Sequence, residues 1–176
     1  MTNVSRLGPD DVTAMQAANR LFADAFGEEG YHGPPASPDH LGKLLADDKF
    51  IALVAHVDGE MAGALAAYEL VKFEAERSEI YIYDLAGFEQ FRRRGVATAL
   101  IDGVKAIACD KGAWVIFVQA DPPDEPAVAL YDKLGTREEV LHFDISVSAD
   151  RLPIPSAPER LRRRSRTAYR GSARRD

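Results

Sequence analysis

"RSEIYIYDLAG" (77–87) runs, through "FEQFRR", into "RGVATALIDGVKAIACDKG" (94–112), and this passage decides the fold. The first half has the Ile, Tyr and Leu content of a half-buried pleated strand. In an extended chain Glu79, Tyr81, Tyr83 and Leu85 would share one face, and Ile80, Ile82, Asp84 and Ala86 the other. The second half changes period. Val96, Leu100, Val104 and Ile107 fall on one helical stripe, and Gly112 suits the helix end. "AWVIFVQAD" (113–121) then reads as a buried strand. Strand, helix and strand in this order predict a right-handed crossover between parallel neighbours. Ligands of such units sit at the C-terminal ends of the strands.

Upstream, "NVSRL" (3–7) suits a short first strand. In "GPDDVTAMQAANRLFADAF" (8–26), Pro9 suits a first helical turn, Asp10 and Asp11 its positive end, and Val12, Met15, Ala18, Phe22 and Phe26 recur at helical spacing. "GEEGYHGPPA" (27–36) is a loop by its Gly and Pro. "SPDHLGKLL" (37–45) predicts a short helix capped by Ser37, with Pro38 at its first position. "KFIALVAHV" (49–57) and "EMAGALAAYELV" (60–71) form a hairpin about Asp58-Gly59. Downstream, "DEPAVALYDKLG" (124–135) predicts a helix capped by Asp124, with Pro126 in its first turn and Gly135 at its end. "REEVLHFDI" (137–145) predicts a closing strand. The expected fold class is α/β: a mixed, mostly antiparallel central sheet with helices on both faces.

The chain of 176 residues is long enough for one domain with a real core. It has no apolar run of membrane-spanning length, no signal-peptide pattern and a single cysteine. A cytoplasmic, non-membrane protein is expected. The 22 Lys and Arg against 28 Asp and Glu give a net charge of −6, unevenly spread. Residues 151–176 hold nine Arg against Glu159 and Asp176, or +7, which leaves −13 on residues 1–150. An acidic body repels nucleic acid and attracts polycations. The tail, rich in Arg, Ser, Ala and Pro, reads as a solvated extension. The division expected is a domain over 1–148 and a basic extension over 149–176.

Arg92, Arg93 and Arg94 stand where a helix begins, on the unfavourable side of its dipole. An anion would reverse that penalty, since a helix start offers unpaired N–H groups. Gly95 allows close approach to the backbone and Ala97 is small. A pyrophosphate suits the place better than a monoanion. A solvated basic patch accounts equally well for three arginines taken alone. No Walker ending and no complete GxGxxG accompanies them.

Arg92-x-x-Gly95-x-Ala97 resembles the Q/R-x-x-G-x-G/A acetyl-coenzyme A signature of the GNAT acetyltransferase superfamily. "SEIYIYDLA", "RRGVATALI", "VQAD" and "DEPAVALYDKLGTREEVLHFDI", with "RLGPD" and "FIAL…GALAAY", are together similar to the aminoglycoside 3-N-acetyltransferase type I group. The resemblance spans about residues 5–145 and leaves the basic tail aside. It implies the GNAT acyl-CoA N-acyltransferase fold and acetyl-CoA as co-substrate. No metal is expected, because His32, His40, His56 and His142 show no ligand spacing and the one cysteine has no companion. It implies strands that splay around the pantetheine arm, whose amides meet the edge at Asp84, Leu85 and Ala86. It implies a pyrophosphate site at Arg92, Arg93, Arg94, Gly95, Val96, Ala97 and Thr98.

The reaction implied is direct attack of an amine, in this group the 3-amino nitrogen of the deoxystreptamine ring, on the acetyl thioester, which confers resistance. The amine must lose a proton, and the resemblance points to Asp84 as base or amine-binding carboxylate. It gives Tyr131 the leaving thiolate, although a helical tyrosine is more often an amphipathic core residue. A polycationic acceptor calls for converging carboxylates, for which Glu28, Glu29, Glu79, Asp121, Asp124, Glu125 and Asp144 are the candidates, with at least half expected to be merely solvated. Tyr31 and His32 lie in the loop where acceptor specificity resides in the superfamily. Family members are often homodimers. Three other readings stay open: acetylation of a polyamine, another small amine or a protein N-terminus; a coenzyme A-binding module without turnover; and nucleic-acid binding through the tail.

Overall fold

The computed structural model describes residues 2–26, 34–143 and 145. The chain divides into two compact units, residues 1–119 and 120–176. The boundary expected at 148/149 lies outside the described residues.

The first unit is a five-stranded sheet in the order β1-β2-β3-β4-β5. Its elements are β1 (Thr2–Arg6), α1 (Val12–Phe26), α2 (Pro38–Leu45), β2 (Phe50–Val57), β3 (Glu60–Val71), β4 (Ser78–Gly87), a 3-10 turn (Glu89–Phe91), α3 (Val96–Lys111) and β5 (Ile116–Val118). The first three pairings, β1–β2, β2–β3 and β3–β4, are antiparallel, and β5 is parallel to β4. The expected hairpin is formed, with Val57 paired to Glu60. Asp58 (φ 54°) and Gly59 (φ 86°) both take the positive φ that a two-residue hairpin loop demands.

α1 and α2 cover one face. Met15, Leu21 and Phe22 of α1 and Leu41 and Leu45 of α2 pack with Phe50, Ala52 and Val54 of β2, Ala64 and Ala66 of β3 and Ala86 of β4. The alternate residues of the strands meet α3. Leu53 reaches the α3 backbone at Gly103, and Gly63 lies against Val96 and Leu100. Phe22, Ile51, Leu65, Ile80 and Leu100 are among the fully buried side chains, each stabilising the fold by about 1.5–3 kcal/mol. Ser37 caps α2 by accepting from His40 N at 3.2 Å, with Pro38 opening the helix. α1 starts later than its sequence suggests. Gly8 N donates to the Asp11 carboxylate at 2.8 Å, so Pro9 and Asp10 form a turn and the helix begins at Val12.

The second unit contains α4 (Glu125–Leu134). Asp124 caps it by accepting from Ala127 N at 3.2 Å, and Gly135 ends it by donating to the Tyr131 carbonyl at 2.9 Å. Two expected strands are not as predicted. No strand forms over 137–143, and Val140, Leu141 and Phe143 are exposed. The alternating pattern is present there, but an extended segment is stable only with a ladder partner, and none pairs with it among the described residues. Nor is 113–121 a buried strand. Only Ile116–Val118 forms a strand, preceded by backbone bonds from Trp114 N to the Ser78 carbonyl and from Ile80 N to the Val115 carbonyl, and Trp114 is 73% exposed, because β5 is an edge with β4 as its one described neighbour.

The junction of β3, β4 and α3 depends on a missing side chain. A Cβ on Gly63 would stand 2.7 Å from Val96 Cγ1 and 2.9 Å from the Ala86 carbonyl oxygen. Val96 could give way, but the backbone oxygen could not. Gly63→Ala should lower the unfolding free energy by about 1–3 kcal/mol in urea denaturation. Unchanged stability would contradict the close approach.

Candidate active site

The site begins with one extra residue. On β3, Ala66 pairs with Asp84 and Ala67 pairs with Ile82, so Tyr83 has no counterpart and forms a β-bulge. Cross-strand partners share a face, and Ala66 and Ala67 point oppositely. Asp84 and Ala86 therefore lie on the α1 face, with Ala66 and Ala64, whereas Ile80, Ile82 and Leu85 lie on the α3 face. This corrects the simple alternation, which put Asp84 with Ile80 and Ile82 and put Leu85 with the tyrosines. Strict period-two counting fails at a bulge, and nothing in the residue types marks its position.

The bulge gives Asp84 aromatic company. Tyr81 pairs with Tyr68 on the same face. Tyr83 stands nearly perpendicular to both, at 5.9 Å from Tyr68 and 5.8 Å from Tyr81. Phe117 stacks on Tyr81 at 4.9 Å, and Phe50 tilts against Tyr68 at 5.2 Å. The Tyr81 hydroxyl donates to Gln119 Oε1 at 3.2 Å. Burial, then the neighbouring Tyr83, then the Asp84 charge raise the pKa of both Tyr68 and Tyr81 above that of an ordinary phenol. Both hydroxyls are therefore neutral at physiological pH, and both sense the carboxylate. Sequence reading singled out Asp84 but not this aromatic wall. Its only advance signal is the Tyr-Ile-Tyr of 81–83.

On its β5 side, β4 is bonded from Ser78 to Ile82, with the ladder itself joining Ile80–Ile82 to Ile116–Val118. Asp84, Leu85 and Ala86 continue the strand beyond the ladder with β5. Such an edge offers N–H and C=O groups to an extended amide chain. The strand leads through the 3-10 turn to α3. Gly95 (φ 76°) takes the N-cap place and supplies no side-chain cap, and the first turn of α3 has no acidic residue. A Cβ on Gly95 would meet nothing within 4 Å, so the space beside Gly95 itself is open. Val96 itself is buried, which fixes the helix start against the sheet. Arg92 pairs with Glu89 at 3.7 Å, and Arg94 with Asp58 at 3.0 Å. Arg93, at φ 61°, has no ion-pair partner among the described residues. Open N–H groups, small residues and neighbouring guanidinium groups fit a pyrophosphate.

The other candidates are distributed as follows. Glu79 stands at the start of β4, away from Asp84, with Lys72 at 3.6 Å and Arg77 at 4.0 Å balancing its charge. Glu28, Glu29, Tyr31, His32 and Asp144 lie outside the described residues. Asp121, Asp124 and Glu125 belong to the second unit, where Asp124 is used as the α4 cap. Tyr131 is in the same unit, and its pKa is pushed up to about 12 by burial and then by Asp124. Among the described residues no group of His, Cys, Asp or Glu is placed to hold a metal ion, and no helix is long and apolar enough to cross a membrane.

This arrangement is that of an acetyltransferase. Residues 15–136 match the model of the Acetyltransferase (GNAT) family, and the chain belongs to that family. Among solved structures it is similar to an aminoglycoside acetyltransferase from an uncultured soil metagenomic sample, with 54% identity and a TM-score of 0.80 over 84% of this chain and 99% of that one. A second aminoglycoside acetyltransferase from such a sample, solved in complex with sisomicin, is 30% identical with a TM-score of 0.77, over 84% of this chain and 97% of that one. An N-alpha-acetyltransferase of Sulfurisphaera tokodaii is 31% identical over 96 residues, 48% of this chain and 55% of that protein. The chain thus matches about half the length of that relative.

If the start of α3 holds the pyrophosphate of coenzyme A, Arg93→Ala should weaken coenzyme A binding roughly fivefold by calorimetry, with a shallower salt dependence. An unaltered affinity and salt slope would place the anion elsewhere.

Proposed function

We propose that this protein transfers the acetyl group of acetyl-CoA to an amine of an aminoglycoside, at the 3-amino position of the deoxystreptamine ring, and so confers resistance in the cytoplasm. The observation that carries the reading is Asp84, which the Tyr83 bulge puts on the tyrosine-bearing face at the open end of β4. The likeness to an aminoglycoside acetyltransferase across nearly its full length supports the choice of acceptor. The acidic balance of residues 1–150 suits a polycation.

The edge at Asp84, Leu85 and Ala86 takes the pantetheine amides. The start of α3, with Arg92, Arg93 and Arg94, takes the pyrophosphate. The thioester supplies the electrophilic carbonyl carbon. Asp84 accepts the proton of the attacking amine, directly or through one water, since only the neutral amine has a free electron pair. The new N–C bond replaces the C–S bond, and the sulfur departs as thiolate. Tyr131, with a pKa of about 12, is a weaker acid than a thiol of about 8.5. Its part is therefore to donate a hydrogen bond to the departing sulfur, which takes its proton from solvent afterwards. Glu28, Tyr31, His32, Asp121 and Asp144 are assigned to the acceptor. The catalytic domain is 1–148, and the basic extension 149–176 stands outside the chemistry.

A second reading is acetylation of a protein N-terminus, favoured by the likeness to the N-alpha-acetyltransferase. Thiol release with gentamicin, spermidine and a short unblocked peptide separates the acceptors. Gentamicin should be the preferred one. Asp84→Asn should lower kcat with gentamicin by about 10²-fold or more. Tyr131→Phe should lower it by about tenfold or more, because one donor to developing charge is lost. The raised pKa means that Tyr131 keeps its proton, so the wild-type rate should show no alkaline limb from it up to about pH 10. Preference for the peptide would move the substrate to the second reading, and full activity of Asp84→Asn would remove the base.

A further inference from the structure

Tyr83 has no role in the chemistry above, yet it is the residue that the bulge inserts. It is 63% exposed, although it sits mid-strand. Its ring is not loose, because Tyr68 and Tyr81 stand nearly perpendicular to it at 5.9 and 5.8 Å. The two neighbours are held in turn by Phe50 and Phe117. In regular pairing Tyr83 and Asp84 would point to opposite faces. The bulge instead presents an open, braced aromatic ring and a carboxylate side by side on one face of β4.

A ring and a carboxylate in sequence on one face recognise a particular chemistry. The carboxylate answers an ammonium group. The ring offers a flat apolar surface with a negative face, suited to the C–H face of a saturated ring and to a cation attached to it. A linear polyamine presents cations but no such face. We infer that Tyr83 is an acceptor-selecting residue, whose ring holds a cyclic aminosugar or aminocyclitol while Asp84 engages its amine. This rests on the reading above for the acceptor, and it adds the determinant that favours cyclic over linear amines. Tyr83 binds and takes no proton.

The test is the steady-state kinetics of Tyr83→Ala, Tyr83→Leu and Tyr83→Phe, with gentamicin and spermidine as separate acceptors and acetyl-CoA varied in turn. Ala and Leu should raise KM for gentamicin roughly tenfold. Their kcat should change less than about threefold, with KM for acetyl-CoA unchanged and the preference over spermidine reduced. Leu keeps apolar bulk, so a shared loss isolates the ring from mere packing, and Phe should recover the wild-type KM. A wild-type KM for gentamicin in both Ala and Leu, while Asp84→Asn is inactive, overturns the role of Tyr83 and leaves the acceptor reading standing. A fall in kcat at constant KM also overturns it. Absence of gentamicin turnover by the wild type overturns the acceptor reading, and with it this refinement.

Discussion

The structure turns on a mismatch of one residue between β3 and β4. Two neighbours on β3, Ala66 and Ala67, face three residues on β4, from Ile82 to Asp84. Below the bulge β4 is an ordinary strand, with Ile80 and Ile82 buried toward α3 and paired to β5. Above it the faces exchange, pairing to β5 stops, and a carboxylate comes to the side where three tyrosines gather. Bulges cost regular pairing, so they persist where they aim a side chain. Here the side chain aimed is that of Asp84, and the strand beyond it leads into the helix start suited to an anion.

The two halves of the site rest on different physics. The α3 start needs no unusual side-chain chemistry. Its unpaired N–H groups, the positive φ of Gly95 and the arginines before it follow from where a helix begins. Its position depends on packing: Val96 is buried against Gly63, where an added methyl group would meet the Ala86 carbonyl. The half around Asp84 depends on side chains that only the bulge brings together. Both halves therefore depend on the β3–β4 register, the first through Gly63 and the second through the bulge.

Much of the fold was legible in the sequence because it is set locally. The Asp58-Gly59 hairpin, the Ser37 and Asp124 caps, and the glycine ends at Gly112 and Gly135 are each determined by a few neighbouring residues. The glycine start of α3 and its first turn without acidic residues were legible for the same reason. The face of Asp84 was not, because a bulge is a property of a strand pair, and the residues of one strand do not reveal it. Nor was the lack of a strand over 137–143, where the alternation of one segment says nothing about its partner. The later start of α1 shows a smaller version of this limit, since the Asp11 carboxylate went to Gly8 instead of the helix.

The most direct measurement is a crystal structure of the complex with coenzyme A and gentamicin. The account predicts the reacting amine within hydrogen-bond reach of the Asp84 carboxylate, directly or through one water, on the face that holds Tyr68, Tyr81 and Tyr83. It predicts the pyrophosphate at the N–H groups of Val96–Thr98. An unbroken β3–β4 ladder with Asp84 turned toward α3, or an acceptor amine bound away from that carboxylate, would contradict it.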